Sequence, residues 1–365
     1  MRSFQIGLAF IMALAVIPAR ADKVDDAVKK GVEFLVRSQD KRTGTFSAGS
    51  NVRPAAVNSY PMTALAIMAM ASVGHQPTDP GEIGEAMKKG IEFLIRNDPR
   101  RSRSGGYYGV DGSRMYGHGI TTLCLGEMLG MGVSKDQDRR IREALEQAVN
   151  VILSAQRRRK IPSHVGGWRY ERDSNDSDLS ATVWQLMALR SAQNAGVRVP
   201  KQNIDLAVKY LERSYLSGRN GRGEPTNLKS GFGYTPGHAP AYSTTSAGLL
   251  SMQVCNRIDA PEVIGAANWL EDFDLRSSER WFYYGTYYYS QGMQKRKDDD
   301  PNSVGSKQAD LARKNVERIM LDLKKANGSW DGTTRQEKSV GKIYCTSLAI
   351  LSLSVKYHFL PIYQD

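Results

Sequence analysis

The sequence predicts an all-α protein, an (α/α)6 toroid of six helix-hairpin repeats. Three observations carry this reading. An amphipathic segment recurs six times, a second, apolar segment recurs in step with it, and a glycine-aromatic turn lies between the two in most units. Self-similarity at a fixed period of tens of residues marks stacked supersecondary units.

The amphipathic segment AVKKGVEFLVRSQD (27–40) returns as AMKKGIEFLIRNDP (86–99), and in weaker form at 144–157, 205–216, 263–274 and 311–325. Apolar residues at helical spacing with charges opposite them predict outer, half-exposed helices. The second segment is MTALAIMAM (62–70), repeated at 120–128, 181–189, 244–252, 285–293 and 345–353, with Thr63, Thr121, Thr182, Thr245, Thr286 and Thr346 in one column. These copies lack a polar face, so each predicts an inner helix buried on all sides. The turns are GTF (44–46), GGYYG (105–109), GGWRY (166–170), GFGY (231–234) and GSWDG (328–332). In the fifth unit RWFYYG (280–285) runs straight into the inner helix, and a charged loop (295–307) follows it instead. A single hairpin cannot bury its apolar helix, and closing six into a ring removes the exposed ends an open solenoid must cap. The open solenoid is the alternative architecture.

Residues 1–21 have the pattern of a signal peptide: Arg2, the apolar run IGLAFIMALAVIP, then Ala19-Arg20-Ala21. The expected protein is therefore exported, periplasmic or secreted, with one toroid domain over 22–365 and no stable membrane span. The formal charge is +12, or +10 without Arg2 and Arg20. The basic residues come as short runs at 100–103, 157–160 and 295–297, which fit solvated loops or an acidic partner better than a nucleic-acid groove. Cys124, Cys255 and Cys345 form neither a disulfide framework nor a zinc knuckle.

Paired helices of this period with glycine-aromatic turns resemble the squalene-cyclase and protein-prenyltransferase repeat family, most closely at GGWRYERDSNDSDLSATVWQLMALRSAQNAG (166–196). The resemblance implies a toroid with a central cavity and leaves the chemistry open. Class II terpenoid cyclases of that family use an Asp-x-Asp-Asp acid. Here Asp176-Ser177-Asp178-Leu179 supplies an incomplete version, with Asp178 at the donor position and Asp176 beside it. The same stretch also reads as the N-cap of the third inner helix. The other units have mostly uncharged residues there, which makes the acidic form peculiar to this unit. The prenyltransferases' Asp-x-Cys does not occur, so no catalytic zinc and no cofactor are expected. The thioester motif's only echo, CLGEM at 124–128, has the wrong spacing.

Candidate cavity residues are Tyr60, Tyr116, His118, Trp184, Tyr242, Tyr283, Tyr284, Tyr287, Tyr288 and Tyr344, most of them near inner-helix starts. The sequence therefore points to a toroid that binds an apolar, isoprenoid-like ligand or a protein partner. A non-standard cyclase acting through Asp178 is the first alternative. An enzyme of acidic polysaccharides, drawing on Asp176, Asp178, Glu127, Arg169 or Arg172, is the second.

Overall fold

The computed structural model describes residues 22–47, 58–357 and 359–364; the leader expected over 1–21 lies outside them. Among the described residues the helices are α1 (Lys23–Ser38), α2 (Ser59–Ala71), α3 (Glu82–Ile95), the short α4 (Pro99–Arg103), α5 (Arg114–Met128), α6 (Lys135–Gln156), α7 (Leu179–Asn194), α8 (Lys201–Ser214), α9 (Tyr242–Val254), α10 (Pro261–Glu271), α11 (Phe282–Gln294), α12 (Val304–Leu323), the short α13 (Arg335–Val340) and α14 (Lys342–Leu353). The six amphipathic repeats are α1, α3, α6, α8, α10 and α12, which bury one stripe each. The six apolar repeats are α2, α5, α7, α9, α11 and α14, buried almost all round. The inner helices touch in the order α2–α5–α7–α9–α11–α14, and α14 packs back on α2, while α12 packs on α1. The ring is closed, as the repeats predicted, and the open solenoid is set aside.

The threonine column ties four of the turns to their inner helices. All six threonines are buried. The backbone N–H of the turn aromatic donates to the threonine hydroxyl in units one, three, four and six: Phe46 to Thr63 (3.0 Å), Trp168 to Thr182 (3.0 Å), Phe232 to Thr245 (3.2 Å) and Trp330 to Thr346 (3.0 Å). The ring then reaches the outer helix. The indole N–H of Trp168 donates to Ile152 O (2.9 Å), and that of Trp330 to Met320 O (2.8 Å). Each turn thus satisfies polar backbone groups that burial would otherwise leave unpaired. The turn glycines let the chain pass against the next outer helix. At Gly166 (φ +95°) a Cβ would sit 2.0 Å from Leu206 O, and at Gly328 (φ +89°) 2.2 Å from Lys30 O, so no other residue fits.

The far end of the ring is closed by the chain's own C-terminal segment. Leu360, Ile362 and Tyr363 are buried there. Ile362 N–H donates to Glu127 Oε2 (3.1 Å), and the Tyr363 and Tyr287 hydroxyls are hydrogen bonded. Glu127, considered above as a carboxylate for glycan chemistry, is therefore part of this closure. Cys124 and Cys345 are buried, Cys255 is half-buried, and all three thiols are free.

Candidate functional site

The first turns of all six inner helices border one cavity of about 640 Å³. They contribute Pro61 and Met62, Tyr116 and Gly117, Ser180, Tyr242 to Thr244, Tyr284, and Tyr344. Tyr170 and Tyr234 from the turns of units three and four, and Trp281 just before α11, complete a lining with seven aromatic side chains. Its only charged members are Glu279 and Arg280. The volume is that of a small-molecule site, and the mostly apolar wall with a few polar groups matches such sites.

Of the residues expected here, Tyr116, Tyr242, Tyr284 and Tyr344 border the cavity. Trp184 and Tyr288 lie behind Tyr284, with ring centroids 6.2 and 4.8 Å from it. Tyr287 stacks on Trp184 at 6.0 Å and bonds Tyr363, so it belongs to the far-end closure. The structure places three others elsewhere. The Tyr60 hydroxyl donates to Asp98 (2.7 Å), and the Tyr283 hydroxyl donates to Asp331 O (3.0 Å); neither residue borders the cavity. His118 fills the role the threonine plays in other units. Tyr108 N–H donates to its Nδ1 (3.2 Å), and its Nε2 bonds Ala148 O (3.0 Å). This fixes the neutral Nε2–H form. Burial, helped by the Arg172 charge and opposed by the Ala148 bond, holds its pKa down to about 3.

Asp178 is both the cap and a buried acid. It is the N-cap of α7, and its Oδ1 accepts from Ala181 N–H (2.8 Å) and from the Ser180 hydroxyl (2.6 Å). Its Oδ2 makes no hydrogen bond of normal geometry and lies 3.5 Å from Arg169 Nε. Burial raises its pKa, against the Ser180 and Ala181 bonds, the Arg169 charge and an interaction with the Tyr234 hydroxyl. Asp178 does not itself border the cavity, although its bonding partner Ser180 does. Asp176 lies on the outer side of the same guanidinium, 3.5 Å from Arg169.

Acidic capping is not confined to the third unit. Asp111 accepts from Tyr60 N–H (3.0 Å) at the start of α2, and Glu337 accepts from Tyr283 N–H (2.7 Å) at the start of α11. Each carboxylate comes from the neighbouring unit, so a search confined to the residues preceding each helix misses it. Burial raises both pKa values, that of Glu337 to about 7. The caps thus alternate round the ring: α2, α7 and α11 have a carboxylate, whereas α5, α9 and α14 have no side-chain cap. Among the described residues no group of three or more His, Cys, Asp or Glu side chains could hold a metal ion. None of the described helices is long and apolar enough to cross a membrane.

No family model matches the chain, and no curated protein matches it significantly. Solved structures do. The GH76A α-1,6-mannanase of Salegentibacter sp. HEL1_6 superposes with a TM-score of 0.62 at 10% identity, over 93% of this chain and 100% of the mannanase. The type II terpene cyclase MstE from Scytonema, in complex with geranylgeranyl dihydroxybenzoate, superposes with a TM-score of 0.56 at 14% identity, over 93% and 98%. At these identities the likeness defines the fold: the protein is an α/α toroid, the architecture of these terpene cyclase and mannanase structures. Two enzymes with unlike substrates share that architecture, so function has to be argued from the cavity.

Proposed function

We propose that this protein is an exported toroid that binds an apolar, isoprenoid-like molecule in its aromatic mouth. The observation that carries the reading is the 640 Å³ cavity with seven aromatic rings at the converging inner-helix starts. Such rings supply large contact area with little side-chain entropy to lose. The sugar alternative is weaker. Glu279 is the only carboxylate on the cavity wall, and Glu127 is at the opposite end of the ring, so no carboxylate pair flanks a bond held there. Incubating the protein with a lipid extract and identifying retained molecules by mass spectrometry tests the proposal. An apolar ligand is expected in the wild type, with retention reduced at least about tenfold in Tyr116→Ala/Tyr344→Ala by lost aromatic contact. Retention that the double variant leaves unchanged refutes the site.

A second reading is favoured by one observation, the buried Asp178 carboxyl whose Oδ2 has no hydrogen bond of normal geometry. Kept protonated, it could serve as a general acid toward an alkene. Asn is as good an N-cap as Asp, so Asp178→Asn is expected to leave the melting temperature near the wild-type value. It would abolish any conversion of a polyene such as geranylgeraniol. A wild type that returns the polyene unchanged, or a variant that converts it equally well, eliminates catalysis by Asp178.

A further inference from the structure

Buried donors need acceptors, and at and behind the cavity wall several have none in good geometry. The indole N–H of Trp184 and the hydroxyls of Tyr284 and Tyr288 are all buried without a hydrogen bond of normal geometry. They belong to one cluster. Trp184 and Tyr288 lie 5.5 Å apart between ring centroids, Tyr284 and Tyr288 4.8 Å, and the Tyr116 ring packs 6.4 Å from both Trp184 and Tyr284. The Tyr116 hydroxyl interacts with both the Trp184 N–H and the Tyr284 hydroxyl. Tyr116 and Tyr284 are also cavity residues, so the cluster opens on the site through them.

An indole N–H can only donate, and a phenol hydroxyl both donates and accepts. Burial raises the pKa of Tyr116, Tyr284 and Tyr288, which keeps all three protonated. The cluster has four donors facing three phenol oxygens, and two of the donors converge on the Tyr116 oxygen. Native interiors rarely leave such atoms without good hydrogen bonds, and three in one cluster beside a cavity leave room for a stronger acceptor. The first turns of α9 and α14 at the same mouth, which no side chain caps, also favour electron-rich groups.

We propose that the ligand carries a hydrogen-bond acceptor oxygen, a carbonyl or ether, on the end that enters the toroid, and that Tyr284 and Tyr116 receive it with Trp184 behind them. This inference rests on the cavity being an apolar-ligand site and specifies the chemistry of the buried end. A pure hydrocarbon would leave the donors unpaired. An acceptor-tipped chain pairs them, and discrimination of this kind comes from the cost of unpaired groups in the site.

The test compares geranylacetone, an isoprenoid ketone, with a hydrocarbon of similar length, β-farnesene, by tryptophan fluorescence titration and native mass spectrometry on the full chain. The ketone is expected to bind about tenfold more tightly. Tyr284→Phe and Trp184→Phe should each reduce that preference severalfold, with ketone binding weakened more than farnesene binding. Each should lower the melting temperature of the free protein only slightly, because the lost donor makes no hydrogen bond of normal geometry there. Equal binding of ketone and hydrocarbon, or Phe variants that lower the melting temperature markedly and keep the preference, overturns the inference and leaves the apolar site standing. If neither compound binds, the apolar-ligand reading fails and the inference with it.

Discussion

Trp168→Ala is expected to destabilise the protein by about 3–5 kcal/mol, the range for truncating a large buried aromatic. The side chain is fully buried, and it joins three elements at once. Its backbone N–H is held by Thr182 on α7, its indole N–H by Ile152 O on α6, and the preceding Gly166 lies against α8. Trp168→Phe separates packing from hydrogen bonding. It keeps most of the ring contact and leaves Ile152 O without its indole donor, at an expected cost of about 1–3 kcal/mol. Trp184→Phe is the control, because its indole N–H makes no hydrogen bond of normal geometry. Urea unfolding of the three variants should rank them Trp168→Ala, Trp168→Phe, Trp184→Phe from most to least destabilised. A Trp168→Phe variant as stable as Trp184→Phe would show that the turn is held by packing alone.

The repeats made the ring legible because closure imposes the same demand on every unit. Each turn must hand a backbone N–H to its inner helix, and the threonine column answers that demand in four units. The departures from the repeat were harder to read. His118 stands three residues before Thr121, and only the folded turn shows that it takes over as acceptor for Tyr108. In the sequence Tyr170 and Tyr234 read only as turn residues. Yet W-R-Y (168–170) and F-G-Y (232–234) share a tyrosine two places after the core aromatic, and both tyrosines border the cavity. A residue shared by two adjacent units and absent from the rest was the available signal. Trp281, Glu279 and Arg280 were hidden by the compressed fifth turn, which aligns with no other unit. The capping roles of Asp111 and Glu337 could not be read at all, since each acts on a helix 51 or 54 residues away in the chain.

The buried acids make a second large effect, in the pH dependence of stability. Burial, opposed by the Ser191 hydroxyl bond, raises Glu127 from 4.5 to about 7. Glu337 is raised to about 7 in the same way, against the Tyr283 N–H bond. Between pH 4.5 and 7 these carboxyls hold their protons in the folded chain and lose them in the unfolded one. The folded state binds more protons, so stability falls as pH rises through this window. Asp111 and Asp178, also raised, act in the same direction. His118 opposes them. Depressed from 6.5 to about 3, it is neutral when folded and charged when unfolded between those values, so its contribution rises with pH up to 6.5. Glu127→Gln/Glu337→Gln removes two falling contributions and keeps an acceptor oxygen at each site. From pH 5 to pH 7 the double variant is expected to gain about 4 kcal/mol relative to wild type, at about 1.4 kcal/mol per proton per pH unit with both groups partly ionised at the ends of the range. His118→Gln should do the reverse and steepen the fall by about one proton below pH 6.5. Urea midpoints at pH 5, 6 and 7 for the three proteins measure both effects. Parallel curves for wild type and the double variant would mean that Glu127 and Glu337 are ionised in the fold throughout this range, carried by their hydrogen bonds to Ile362 and Tyr283.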